Sequence, residues 1–285
     1  MITLDELNTI AILGSGTMGH GIAEVFARAG YDVQLYDIKS ELLDTSKSKI
    51  EHFTAKSVKK GKLTEQQRTD TLARISYTNK LGEIKAQFIL EAVIEKLSVK
   101  QELFEELEKC LPEAVFATNT SSLSVTAIAS HLKDPSKVIG MHFFNPAPIM
   151  KLVEVISTAQ TADWLTELTV QLSEKLGKSP AQVADTPGFI VNRVARFFYL
   201  EGLKVVEEQV ANHETVDRLM QATGFRMGPF QLMDLIGVEA NHRVSQTMCE
   251  QMMGEPRFQP SRLQQKQAES GHHGRKTGKG FYDYS

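Results

Sequence analysis

Along the first two thirds of the chain, short apolar runs alternate with longer stretches whose apolar residues recur every three or four positions. Thr9 to Leu13 (TIAIL) is a strand-length apolar run that leads into glycines. Gly19 to Ala29 carries Ile22, Val25, Phe26 and Ala29 at helical spacing, and Gly30 stops it. Asp32 to Tyr36 predicts a second strand, Ser40 to Lys60 a charged helix, and Thr64 to Ala73 another helix with Thr64 as N-cap. Further strands are predicted at Phe88 to Leu90, Val115 to Ala117 and Val138 to Met141, with a helix over Ser98 to Cys110 between the first two of these. Such βαβ alternation predicts an α/β, doubly wound, mostly parallel sheet covered by helices on both faces.

The rhythm changes near Asp185-Thr186-Pro187-Gly188. Beyond it the spacing is helical over Phe189 to Val210, Val216 to Ala222, Val238 to Met252 and Arg262 to Ala268. Gly224, Gly228-Pro229 and Gly254 punctuate these stretches. The expected organisation is a first domain over residues 1–186 and an all-helical second domain over 187–285.

Composition narrows the class. The chain is 41% hydrophobic and 24% charged with a net charge of −3, so it advertises no basic surface for nucleic acid or an anionic membrane. Cys110 and Cys249 lie far apart and match no metal or disulfide spacing, which predicts a reduced, intracellular protein. No apolar run approaches the roughly 18 residues that span a bilayer, and MITLDELNTI has no signal-like pattern. A cytoplasmic location is expected.

The first chemical signal is Gly14-Ser15-Gly16-Thr17-Met18-Gly19, a G-x-G-x-x-G between a predicted strand and a predicted helix. The first glycine permits the tight turn, the second lets backbone approach a pyrophosphate, and the third allows close packing of helix on strand. The phosphates would meet the positive end of the helix and its N–H groups. Asp37 closes the second strand about twenty residues on, where this arrangement holds the adenine ribose through an acid. A carboxylate there repels a 2′-phosphate, so the expected cofactor is NAD on a Rossmann-type domain. His20, just past the loop, reads as a helix residue.

The second signal is HFFNPAPIMKLVEV, residues 142–155. Pro146 and Pro148 prevent a helix, and Asn145-Pro146 favours a turn. The chain should run up Val138 to Phe143, turn or cross over, and run again from Leu152 to Ile156 as a buried strand. Glu154 inside that apolar run needs a cationic or donating partner, because an unpaired buried carboxylate costs several kcal/mol. The turn can bring His142 to it. Glu154 would then fix the imidazole tautomer and stabilise the charged ring while the other nitrogen takes a proton. Beside a nicotinamide, such a pair suits alcohol oxidation. On spacing alone, a purely structural His–Glu pair accounts for the pattern equally well.

These motifs, taken together, resemble one family. The glycine loop, Asn119-Thr120-Ser121-Ser122, His142-Phe143-Phe144-Asn145-Pro146 and Lys151-Leu152-Val153-Glu154 are joined by two more. They are Asp185-Thr186-Pro187-Gly188-Phe189-Ile190-Val191-Asn192-Arg193 and Lys276-Thr277-Gly278-Lys279-Gly280-Phe281-Tyr282. The set is similar to the short-chain L-3-hydroxyacyl-CoA dehydrogenases, including the bacterial 3-hydroxybutyryl-CoA dehydrogenases, in order and over essentially the whole chain.

The resemblance implies NAD-dependent, reversible oxidation of an (S)-3-hydroxyacyl-CoA to the 3-ketoacyl-CoA. It makes His142 the general base and Glu154 its orienting carboxylate. Ser121 becomes a hydroxyl that meets substrate and cofactor, and Asn192 a substrate-positioning amide. Cofactor contacts fall on Gly14, Ser15, Gly16, Thr17, Met18, Gly19, Asp37, Glu95, Lys100, Ser121, Asn145 and Lys276. Lys56 and Lys60, four residues apart on one helical face, would meet the phosphates of coenzyme A. A homodimer through the second domain is also implied. Read without the family, Ser121 is a plain helix N-cap, Glu95, Lys96 and Lys100 a solvated helix start, and the lysines a solvated charged face.

Two other functions share the scaffold: a gulonate-type sugar-acid dehydrogenase and a non-catalytic NAD-binding protein. The strip Phe143-Phe144-Asn145-Pro146 weighs against the first, and His142, Glu154, Ser121 and Asn192 together weigh against the second. Gly274-Arg275-Lys276-Thr277 lacks the glycine spacing and leading strand of a phosphate loop. His272-His273 has no carboxylate or cysteine at ligand spacing, so no metal is expected.

Overall fold

The computed structural model describes residues 2–284, and the chain divides between Thr186 and Pro187 into two compact units. In the first, β1 (Thr9–Leu13), α1 (Gly19–Arg28), β2 (Asp32–Tyr36), α2 (Ser40–Lys59), α3 (Glu65–Ala73) and β3 (Ile75–Thr78) follow in order. They are succeeded by β4 (Phe88–Glu91), α4 (Leu97–Cys110), β5 (Val115–Thr118), α5 (Val125–Ala129) and β6 (Val138–Phe143). The unit ends with β7 (Leu152–Ser157), α6 (Asp163–Lys175) and β8 (Ser179–Ala184).

The eight strands form one sheet in the order β3-β2-β1-β4-β5-β6-β7-β8. Every neighbouring pair is parallel except β6 and β7. With its flanking helices this is the expected doubly wound, Rossmann-type arrangement. The central strands are buried along their length, β4 and β5 at every residue, which is why they read as unbroken apolar runs. Helix α1 packs tightly behind them, with every residue from Gly19 to Ala27 buried. Phe26 in α1 and Phe143 in β6 approach to 6.3 Å in the same core.

Local chemistry accounts for several boundaries. Thr64 caps α3 with a reciprocal pair: Gln67 N–H donates to Thr64 Oγ1 at 3.1 Å, and Thr64 N–H donates to Gln67 Oε1 at 2.9 Å. Strands β3 and β8 were not expected. Both are edge strands, and β8 (SPAQVA) tolerates Pro180 because an edge needs no second ladder. Helices α5 and α6 were also unassigned, although Leu165, Leu168 and Leu172 of α6 are buried at helical spacing.

The second unit is helical: α7 (Val191–Glu207), α8 (His213–Ala222), α9 (Pro229–Ile236), α10 (Val238–Gln251) and α11 (Arg262–Glu269). Gly228-Pro229 separates α8 from α9 and also starts α9, a helix beyond those predicted, with Pro229 in its first turn. Tyr199, Leu203, Phe230 and Met233 form a core there. Asp217 anchors α9 by accepting from the N–H groups of Phe230 and Gln231 at 2.9 and 2.8 Å. No helix among the described residues is long and apolar enough to cross a membrane.

Candidate active site

Register places the chemistry at one edge of the sheet. Leu13, Glu91, Thr118 and Gly140 lie in a single row across β1, β4, β5 and β6. The glycine loop leaves the sheet directly after Leu13, and His142 stands two residues past Gly140 on the same side.

Close approach requires two of the loop's glycines, and the third leaves the backbone open. Gly14 adopts φ +92°, and a Cβ there would come within 2.7 Å of Ala92 O. A Cβ at Gly19 would sit 1.7 Å from Gly14 O, so helix and turn can pack only without one. At Gly16 an added Cβ would meet nothing within 4 Å, which leaves the backbone open to approach. No side chain caps the start of α1, and no acid lies in its first turn. Asp37 Oδ2 accepts from both the N–H and the hydroxyl of Ser15 at 2.8 Å, fixing the carboxylate beside the loop. These features fit NAD: an open cradle for the pyrophosphate and a fixed acid for the ribose. His20 Nδ1 donates to Gly16 O across 2.7 Å, and the residue stays within α1.

His142 and Glu154 are direct partners in the antiparallel β6–β7 ladder. The imidazole Nδ1 lies 2.8 Å from Glu154 Oε2, and both side chains are buried. Adjacent strands thus deliver the acid to the imidazole without any loop having to do so. The Phe144 ring lies 4.5 Å from the imidazole, centre to centre. Asn119 Oδ1 accepts from Phe143 N–H at 2.8 Å and ties the end of β5 to the end of β6.

A second polar cluster lies between these features. Glu91, fully buried at the end of β4, receives Lys100 Nζ at 2.6 Å, Thr118 Oγ1 at 2.8 Å and Val93 N–H at 2.7 Å. Burial pushes the Glu91 carboxyl above its ordinary range, and these donors offset that only in part. Lys100 also stands 3.2 Å from Glu95. Glu95 Oε1 in turn accepts from Thr120 Oγ1 at 2.7 Å and from the N–H groups of Ser121 and Ser122 at 2.9 and 3.1 Å. Burial alone would raise the Glu95 carboxyl, but Lys100 and these donors hold it below the usual range.

Two readings made without the family change here. Lys100 is not part of a solvated helix start: its side chain is 1% exposed. Ser121 is not the cap of the following helix, because Ser124 caps α5 by accepting from Ala127 N–H at 3.2 Å. Asp185 Oδ2 completes that cap from Thr126 N–H at 2.7 Å. Asn145 is exposed on the β6–β7 loop. Lys56 and Lys60 are exposed at the end of α2. In the helical unit Asn192 lies in the first turn of α7, and Lys276 pairs with Glu239. Glu91, a carboxylate at the end of a buried strand, gives a signal of the kind that Glu154 gives from within one, and the sequence reading passes over it.

Fold and site together define a dinucleotide-binding protein of Rossmann type with a buried histidine–glutamate pair at the mouth of its sheet. Residues 9–186 match the family model of the 3-hydroxyacyl-CoA dehydrogenase NAD binding domain, and residues 188–284 match that of its C-terminal domain. The chain belongs to the 3-hydroxyacyl-CoA dehydrogenase family. It is 46% identical over 282 residues to the 3-hydroxyadipyl-CoA dehydrogenase of Escherichia coli, covering 98% of this chain and 59% of that protein. A probable 3-hydroxybutyryl-CoA dehydrogenase of Deinococcus radiodurans is 40% identical, with 96% of this chain and 99% of that one aligned. The crystal structure of the (S)-3-hydroxybutyryl-CoA dehydrogenase of Ralstonia eutropha superposes with a TM-score of 0.94 at 34% identity, over 98% of this chain and 99% of the other. The chain therefore spans about three fifths of the E. coli relative and nearly all of the other two.

Proposed function

We propose that this chain is an NAD-dependent (S)-3-hydroxyacyl-CoA dehydrogenase that interconverts the 3-hydroxyl and 3-keto forms of an acyl-CoA thioester. The observation that carries this reading is the 2.8 Å contact between His142 and buried Glu154, on the sheet edge from which the glycine loop departs. With its proton on Nδ1 shared with Glu154, the imidazole takes the substrate hydroxyl proton at Nε2. Glu154 then offsets the positive charge that the ring acquires. In the reverse direction the charged ring returns that proton to the ketone oxygen. Residues 14–19 and Asp37 would hold NAD, which when bound would supply the hydride acceptor.

The remaining residues position the reactants. Ser121, on a turn held by Glu95, and Asn192 align the reacting carbon. Asn145 and Lys276 complete the nicotinamide side, and Lys100 acts there through Glu95 because its own ammonium is buried. Lys56 and Lys60 meet the phosphates of coenzyme A as mobile point charges. The N-terminal unit thus serves as the NAD domain, and the helical unit as the substrate and dimerisation domain. Exposed Val194, Leu219 and Phe225 support a homodimer through that unit. The reading includes a cytoplasmic location.

The test is steady-state oxidation of NADH with acetoacetyl-CoA and with longer and carboxylate-ended 3-ketoacyl-CoAs, repeated with NADPH. Turnover of the thioesters with strong preference for NADH is expected. Activity on free sugar acids alone, or NADH binding without turnover, would overturn the reading.

A further inference from the structure

The loop that follows His142 is held from behind the site. Pro146 O accepts from the N–H groups of Ile149 and Met150 at 2.9 and 3.0 Å, which closes residues 146–150 into one turn. Two other carbonyls of this turn, those of Ala147 and Met150, both accept from Lys178 Nζ, at 2.5 and 2.9 Å. Lys178 belongs to the turn between α6 and β8, and its own N–H bonds Ser173 O in α6 at 3.0 Å. From the other side α1 presses on the same turn, because a Cβ on Gly21 would lie 3.2 Å from Pro148 Cδ. Just ahead of the turn are Phe144, packed on the imidazole, and Asn145.

We infer that Lys178 is a positioning residue: its ammonium, bridging two carbonyls of the β6–β7 loop, fixes the segment that sets Phe144 and Asn145 beside His142. The kinetic consequence rests on the proposed dehydrogenase activity; the structural consequence does not. Backbone carbonyls bridged by a charged donor make stronger bonds than neutral pairs do. The charged groups facing this ammonium are Glu24 and Arg28 on α1 and Lys151 at the head of β7. Partial burial, with Arg28 and Lys151, outweighs the attraction of Glu24 and brings its pKa down to about 8. The clamp therefore weakens as pH rises through that value. A neutral amine still has N–H donors, so it loosens rather than disappears.

The experiment compares Lys178→Met and Lys178→Arg with the wild type. Lys178→Met should lower kcat roughly ten- to a hundredfold with both KM values nearly unchanged, as expected when bound reactants are slightly misplaced. Lys178→Arg, charged throughout, should keep kcat and abolish the wild-type decline above about pH 8. Hydrogen exchange at the Ile149 and Met150 amides reads the clamp independently of turnover. It should be faster in Lys178→Met and unchanged in Lys178→Arg. Wild-type exchange at these amides in Lys178→Met overturns the proposal, as does a Met variant with normal kcat and the wild-type alkaline limb. Should the wild type fail to reduce any 3-ketoacyl-CoA, the dehydrogenase reading falls and the exchange data alone decide the clamp.

Discussion

Lys100 and Glu91 meet at 2.6 Å with both side chains buried. Such a pair gains little over well-packed apolar residues, yet losing one partner strands a charge in the core. Lys100→Met should therefore destabilise the protein by about 3–5 kcal/mol in urea unfolding. Adding Glu91→Gln should recover much of that loss, because the stranded charge is gone. If Lys100→Met unfolds like the wild type and only NADH affinity drops, Lys100 is a direct cofactor ligand instead.

His142→Ala should cut kcat by roughly 10²–10⁴ while NADH affinity in a fluorescence titration stays near wild type. Glu154→Gln keeps the shape of the partner but removes its charge, so it should lower kcat by a smaller factor with cofactor affinity again preserved. A large loss of NADH affinity in His142→Ala would count against its role as base.

Gly14 and Gly16 should respond to alanine in opposite ways. Gly14→Ala meets Ala92 O at 2.7 Å and requires a side chain at φ +92°, so it should lower the unfolding midpoint. Gly16→Ala meets nothing within 4 Å, so stability should hold while NAD affinity falls, because the methyl group occupies the approach to the pyrophosphate. Equal NAD affinity in Gly16→Ala and wild type would contradict the cradle.

Stability should also carry the signature of Glu95. Its folded carboxyl titrates below the reference value of 4.5, so the ionised form favours folding above that value. The contribution is lost as pH falls through the lower, folded value. The urea midpoint of the wild type should therefore drop below about pH 4.5, and Glu95→Gln should flatten that limb. Glu91, shifted the other way, remains in both proteins and cancels in the comparison. Parallel pH profiles for the two would remove Glu95 from the acid response.

What could be read in the chain tracks how locally each feature is encoded. The central strands are legible because burial on both faces makes them continuous apolar runs; β1 and β2 begin and end where the pattern says. The edge strands β3 and β8 are half-exposed and polar, so no run marks them. Glu154 stands out as a charge within an apolar strand. Lys100 does not, because lysine at a helix start is ordinary and only the tertiary fold buries it. Lys178 is still less visible: it lies in a polar turn, and its partners are carbonyls that every residue possesses.

The antiparallel ladder between β6 and β7 has a consequence for how this family can diversify. Because His142 and Glu154 face each other across hydrogen-bonded backbones, their separation is independent of the length of the hairpin that joins them. Residues could be inserted or exchanged near the tip of that hairpin without parting the imidazole from its acid. The pairing of ring and acid therefore tolerates change in the loop that joins their strands.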